Sequence, residues 1–266
     1  MTLPKDLLFL RHGQSEANIV QKSAEGFEVP SNFFNRHDSY MRLSTDGTSQ
    51  ADTAGDWLRN NGFERFDRYY VSPHIRTRET AAHLRLNGDW IIDDLWRERD
   101  WGEYGAGLKK TEQVKRFPYS AALKKQNLWY WKPVGGESLA TGVSYRVHSV
   151  LDNLRRLEGV DSVIGVTHGE FIRTVQFILE RMTPEEWLEM DENPEYSIKN
   201  CMAVHYSRID PVTGVEHPTY KFRRFINTSN PLLSPENGNW KELHTRKYTD
   251  EELLAVVNMH LPLLPR

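Results

Sequence analysis

The sequence predicts an α/β fold, a three-layer αβα sandwich with a mostly parallel central sheet. Three observations carry this. Two runs of strand length, Leu7-Leu8-Phe9-Leu10 and Val163-Ile164-Gly165-Val166, are continuously apolar, as strands covered on both faces of a parallel sheet are. Strand signals alternate with helix signals along the chain, the rhythm of βαβ units. The length of 266 residues, with no repeat and no linker-like stretch, suits one large domain. The expected organisation is a domain over 1-226 with an insertion at about 96-137, then an extension over 227-266 packed on the same domain.

The totals narrow the class. A net charge of -3 excludes bulk attraction to nucleic acid and leaves room for a local basic pocket. The single cysteine, Cys201, cannot form an intramolecular disulfide, and its apolar neighbours Met202, Ala203 and Val204 predict a buried structural thiol. No signal-peptide pattern is legible, and no stretch approaches the roughly 18 apolar residues of a membrane span. A cytoplasmic protein without membrane contact is expected.

The elements follow in order. The first strand ends in Arg11-His12-Gly13, and Ser15 is placed to open a helix with Asn18 in its first turn. Residues 19-43 lack periodicity and hold Pro30, Asn32, Asn35 and Asp38; they read as a long loop, of a length that in compact domains tends to serve function. Ser44 or Thr45 then caps a helix in which Ala51, Ala54, Trp57 and Leu58 fall at helical spacing, and Asn60-Asn61-Gly62 stops it. Arg68-Tyr69-Tyr70-Val71 is a strand by its aromatic and β-branched content, followed by Ser72-Pro73 and a helix carrying Arg76, Thr80, Ala81 and Leu84. Trp90-Ile91-Ile92 is a short third strand. From Trp96 to about Pro133 the chain is polar and aromatic, with short helices. Leu139 to Leu157 is an amphipathic helix with Val143, Val147, Val150, Leu151, Leu154 and Leu157 on one face. After the apolar run at Val163, a helix carries Phe171, Ile172, Val175, Ile178 and Leu179. Val204 to Tyr206 and Tyr220 to Phe225 read as closing strands. In the tail, Thr249 and Glu252 form a capping-box pattern before Leu253, Leu254 and Val256.

In an open α/β sheet, ligands bind outside the carboxyl ends of the strands. Three segments that follow strands would gather there: Arg11-His12-Gly13, Ser72-Pro73-His74-Ile75-Arg76 and Thr167-His168-Gly169. Arg97-Glu98-Arg99-Asp100-Trp101-Gly102 opens the polar region. Arginine forks beside helix N-termini favour an anion. Each segment alone has an ordinary explanation: an Arg-His pair at a strand end is commonly a surface pair, and Glu98 among Arg97, Arg99 and Asp100 also reads as a solvated charge cluster.

Taken in order, these segments resemble the histidine phosphatase superfamily, the phosphoglycerate-mutase-like fold. The matching elements are Arg11-His12-Gly13; Leu43-Ser44 with Gly47, where the family more often has Thr; Ser72 with Arg76, Thr80 and Ala81; Arg97-Glu98 with Gly102; Gly135-Gly136-Glu137-Ser138; and His168-Gly169. They span Leu7 to about Phe171. The resemblance implies that Arg11, Asn18, Arg76 and Gly169 bind the phosphate, and that His12 is the nucleophile forming a phosphohistidine. It also implies that His168 stabilises the phosphoryl group, and that Glu98 protonates the leaving group and then activates water. Guanidinium forks suit phosphate oxygens and stay charged. No metal and no cofactor is required. Arg78 rivals Arg76, but only Arg76 has the family's spacing from Ser72. The other histidines, His74 among them, are expected to be ordinary surface or packing residues.

The aromatic residues Trp96, Trp101, Tyr104, Phe117, Tyr119, Trp129, Tyr130 and Trp131 form either a small core within the insertion or a lid touching the substrate's non-phosphate part. Trp101, nearest Glu98, is the candidate contact. The machinery serves two reactions, hydrolysis and mutase transfer. Family mutases usually carry Trp before the Asn of the first motif, where this chain has Ala17, and their lid Lys/Arg set is not clearly matched by Lys109, Lys110, Lys115 and Arg116. A phosphatase is therefore expected, with a phosphoglycerate mutase-type transferase or a phospholigand-binding scaffold as the alternatives. The expected partner is a small-molecule phosphate ester, not nucleic acid, and homo-oligomerisation is left open.

Overall fold

Asp6–Arg11 forms β1, in the interior of the sheet. Leu7, Leu8, Phe9 and Leu10 are fully buried, with Leu7 and Phe9 in one core cluster and Leu8 and Leu10 in another. Alternate side chains of a strand point to opposite faces, so this run serves both helical layers at once. Burying each such side chain is worth roughly 1.5–3 kcal/mol. The computed structural model describes residues 2-23, 27-105 and 110-264. Lys109, cited in the comparison with mutases, lies outside the described residues, as do 24-26 of the loop and the rest of 106-109 in the insertion.

Ser15 caps α1 (Glu16–Lys22) in a capping box closed by Asn18. The helix takes residues 19-22 from the expected loop because Ala17 and Val20 find partners, Phe33 and Met41, in a small separate cluster. The loop then makes two single 3-10 turns, Phe33–Asn35 and Asp38–Tyr40. Ser44 caps α2 (Thr45–Asn60) by accepting from the Gly47 amide at 3.0 Å. That helix starts directly against the first motif: a Cβ on Gly13 would lie 2.4 Å from the Gly47 carbonyl oxygen. β2 (Arg68–Val71), α3 (Ile75–Leu84) and β3 (Trp90–Ile92) follow.

The insertion holds two short helices, α4 (Lys110–Arg116) and α5 (Pro118–Gln126). The expected long helix begins as one π-helical turn, Leu139–Val143, and continues as α6 (Ser144–Arg155). The Ser138 carbonyl takes the Val143 amide at 3.2 Å, the wide spacing of a π turn. β4 (Ser162–Thr167), α7 (Gly169–Glu180) and α8 (Pro184–Glu192) come next, then β5 (Met202–Ser207), β6 (Phe222–Asn227), β7 (Lys241–Glu242) and α9 (Asp250–Asn258).

Among the described residues the strands form one mixed sheet of order β3-β2-β4-β1-β5-β6-β7. β1 to β4 run parallel; β5 pairs antiparallel with β1, β6 with β5, and β7 with β6. The α/β class is as expected, and the antiparallel pairing is confined to the closing side. β6 sits two residues later than its sequence pattern suggested. Its register, Met202↔Asn227, is set by β5, while Tyr220 packs as a buried ring on Tyr206. In the extension, Thr228, Ser234 and Leu243 are buried, whereas every residue of α9 is exposed. The capping box of Thr249 and Glu252 supports that helix locally.

Candidate active site

The carboxyl ends of β1, β4 and β2 lie side by side, and each delivers a polar residue. His12 follows β1, its amide donating to the Thr167 carbonyl at 3.0 Å, and its side chain is only 2% exposed. Its Nδ1 is 2.6 Å from the Gly13 carbonyl oxygen. A carbonyl only accepts, so Nδ1 carries the proton and Nε2 keeps its lone pair. Burial, then the charges of Arg76 and Arg11, hold the ring well below the usual histidine range and therefore neutral.

His168 follows β4, fully buried and edge-on to His12 with ring centroids 5.1 Å apart. Its Nδ1 faces an Arg76 terminal nitrogen at 3.4 Å and Glu98 Oε2 at 3.8 Å. Arginine can only donate, so Nδ1 accepts and Nε2 donates to Ser72 Oγ at 2.8 Å. Ser72 ends the β2 segment and also contacts His74 Nδ1 at 3.3 Å; His74 is buried and edge-on to His168 at 4.7 Å. His74 is thus part of the site wall, contrary to the expectation of an ordinary packing residue. Its signal, a position between Ser72 and Arg76, gains meaning only once Ser72 is seen to hold His168.

The arginines differ. Arg11 donates to the Ile198 carbonyl at 2.5 Å while its buried Nε has no hydrogen-bond partner. Gly169 lies against this guanidinium: a Cβ there would sit 3.6 Å from Nε. His168 caps α7 without a side-chain bond, leaving the helix start free for an anion. Arg76, on the first turn of α3 and 4% exposed, is held bidentately by Asp38 from the 19-43 loop. Burial pushes the Asp38 carboxyl up, but the hydrogen bond from His74 and the charge of Arg76 outweigh it and leave it well below the carboxylate range. Asn18 accepts from the Ser15 amide and from Asn200 Nδ2, both at 3.2 Å, so its own amide nitrogen is left to donate. Asn200 also donates to the His12 carbonyl at 3.0 Å. Neither Asp38 nor Asn200 carries a local sequence signal.

Glu98 completes the cluster. Burial first, then the charge of Glu170, push its carboxyl up to about 7, against the opposing pull of Arg76. Its backbone is clamped: Arg146 donates to the carbonyls of Leu95 at 3.0 Å and Arg97 at 2.9 Å, and to Glu137 Oε2 at 2.8 Å. Glu137 also binds Arg97 at 2.7 Å and the Asp100 amide at 3.1 Å. The Gly-Glu-Ser element thereby fixes the segment that carries Glu98. Trp101 packs near Trp131 and beneath the Arg99 guanidinium at 4.8 Å, and it lines a cavity of about 310 Å³ beside Phe33, Asp38, His74 and Glu98. Cys201 is a buried free thiol behind the first motif, its amide donating to the Arg11 carbonyl at 3.1 Å; burial pushes its pKa up to about 12. Among the described residues no group of three or more His, Cys, Asp or Glu is arranged to hold a metal ion, and no helix is long and apolar enough to cross a membrane.

The site residues singled out from the sequence thus come from four separated segments, joined here by Asp38 and Asn200, and a model of the histidine phosphatase superfamily (branch 1) matches residues 7–201, which contain all of them. The chain belongs to this superfamily. Similar superfamily proteins include the 2,3-bisphosphoglycerate-dependent phosphoglycerate mutase of Nitrobacter hamburgensis, 30% identical over 194 residues, covering 70% of this chain and 86% of the mutase. The mutase of the same name from Brucella ovis is 28% identical over 200 residues, covering 72% and 89%. Among solved structures, the mycobacterial glucosyl-3-phosphoglycerate phosphatase Rv2419c shares the fold with a TM-score of 0.61 at 22% identity, covering 76% of this chain and 92% of that one. The alpha-ribazole phosphatase of Shigella flexneri does so with a TM-score of 0.62 at 15% identity, covering 80% and 95%.

Proposed function

We propose that this protein is a metal-independent phosphomonoester hydrolase working through a phosphohistidine on His12. The observation that carries the reading is the state of two groups at one sheet edge: a neutral His12 with Nε2 unprotonated, and a Glu98 carboxyl held near neutrality in its own titration. His12 Nε2 attacks phosphorus as the bond to the leaving oxygen breaks, and Glu98 gives its proton to that oxygen. Water then attacks the phosphohistidine, Glu98 takes the proton, the N–P bond breaks, and inorganic phosphate leaves. Arg11, Arg76, Asn18 and the start of α7 at Gly169 neutralise the equatorial oxygens, where transition-state charge accumulates. His168, edge-on to His12 beside the phosphoryl group, is oriented by the hydrogen bond that its Nε2 donates to Ser72. Trp101 borders the leaving-group side.

Ala17 at the position where family mutases usually carry Trp favours water as the acceptor. The competing reading is phosphoglycerate mutase-type transfer, favoured by the names of the curated relatives. Hydrolysis of an aryl phosphate in EDTA, lost in His12→Ala, is the expected result. Mutase turnover of 3-phosphoglycerate with its bisphosphate, without net hydrolysis, would replace this reading. Absence of turnover on any phosphate ester would favour a binding scaffold. Residues of 33-38 and 97-105 border the cavity, and their segments, the 19-43 loop and the insertion, are the ones that would select the ester.

A further inference from the structure

Arg76 already has an anion on it. One terminal nitrogen donates to the Asp38 main-chain carbonyl at 2.7 Å and to Asp38 Oδ1 at 3.2 Å. The other donates to Asp38 Oδ2 at 2.8 Å and reaches His168 Nδ1 at 3.4 Å. A guanidinium has four N–H bonds on its two terminal nitrogens, and here each has an acceptor. The fork end is the face that grips two phosphate oxygens. His74 Nε2 lies 3.5 Å from the same carboxylate oxygen.

We propose that Asp38 is a built-in competitor for the substrate's phosphoryl group, which enters by displacing this carboxylate from Arg76 and returns the fork to it when phosphate leaves. The inference rests on the reading of Arg76 as a phosphate ligand. The chain around Asp38 is built to allow the exchange. Asp38 opens a single 3-10 turn whose Tyr40 is largely exposed. On either side the loop is anchored independently, by buried Phe33 and Met41 and by the Arg42–Glu79 ion pair. The turn can therefore release Arg76 while α1 and α2 stay in place. A bound dianion beside the Asp38 carboxylate would repel it, and the approach of a second negative charge drives the carboxylate outward. While Asp38 is engaged the pocket is not competent to bind, so the apparent affinity for phosphate is lowered by the fraction of molecules in the open state.

The test is calorimetric titration of the full chain with inorganic phosphate. Asp38→Ala is expected to bind about three- to tenfold more tightly than the unaltered protein. Equal or weaker binding overturns the inference, because a residue that only braced Arg76 would loosen the pocket on removal. Arg76→Ala separates the two failures. If it binds phosphate as the unaltered protein does, the phosphate-ligand reading falls, and this inference with it. If it loses binding while Asp38→Ala gains nothing, only the competitor role falls. Amide hydrogen exchange on the unaltered protein needs no variant: saturating phosphate is expected to speed exchange at Tyr40 and Met41, whose amides are bonded within the turn. Unchanged or slower exchange there also overturns it.

Discussion

The two walls of the site differ in what holds their residues in place. His12, His168 and Ser72 follow the ends of adjacent strands, almost wholly buried; the amides of His12 and Ser72 bond to the carbonyls of Thr167 and Val166, and each of the three side chains has a hydrogen bond of its own. The opposite wall, residues 33-38 and 97-105, consists of single turns and irregular chain, with Phe34 61% exposed. The difference teaches where this fold puts each task. On the proposed reading, phosphoryl chemistry, which tolerates little misplacement, falls where geometry is over-determined. Admission and recognition then fall to segments that can vary without disturbing the sheet. Glu98 is the exception: it belongs to the irregular wall, yet the Glu137–Arg146 clamp gives it the fixity of the other side.

Four predictions press on that contrast. His12→Ala should lower kcat by about ten-thousandfold or more with the fold intact, read by aryl phosphate hydrolysis and by near-ultraviolet circular dichroism. A loss below tenfold would remove His12 from the chemistry. Glu98→Gln should lower the rate of enzyme phosphorylation by about 10²–10⁴-fold. In the unaltered protein kcat/KM should fall as pH rises through about 7, where Glu98 loses its proton, and the variant should lack that limb. The same shift has a stability sign. The folded carboxyl binds its proton more tightly than the unfolded one, whose ordinary value is 4.5, so folding stability is lost as pH rises from that value through about 7. Glu98→Gln should therefore gain stability relative to the unaltered protein at pH 8 over pH 4 in urea melts.

Gly165→Ala tests the foundation of the fixed wall. A Cβ there would lie 1.9 Å from the Trp96 ring, which packs on β4 just before the segment carrying Glu98. Overpacking should cost about 1–3 kcal/mol in denaturant unfolding; an unchanged midpoint would mean that Trp96 yields freely. The smallest effect is expected from the irregular wall: Trp101→Ala should raise KM a few-fold (about 1 kcal/mol or less) and unequally among esters, with kcat nearly kept. A uniform change across substrates would confine Trp101 to packing within the insertion.

Legibility in the sequence divides along the same line. The buried strands announce themselves through uninterrupted apolar runs, and a residue directly after such a run has few places to go, so Arg11, His12 and His168 were placed by pattern alone. Arg76 and Glu98 needed the family resemblance, since a helix-borne arginine and a glutamate in a charge cluster have no distinguishing period. Asp38 and Asn200 carry no local signal: each reaches the site across tens of residues of chain, and long-range side-chain pairing leaves no trace in local spacing; His74 lies inside the Ser72–Arg76 segment, but its place against His168 is a tertiary contact. The closing strand β6 was misplaced by two residues because antiparallel register is set by the partner strand.

By itself the sequence determined the α/β class, the strands that form the sheet centre, and the order of the motifs, because burial on both faces and capping chemistry are written in neighbouring residues. Tertiary structure alone decided that Nε2 of His12 is the free nitrogen, that Glu98 is buried enough to hold a proton near neutrality, and that Asp38 sits on Arg76. Each of those depends on which groups meet across the fold and on how little water remains between them.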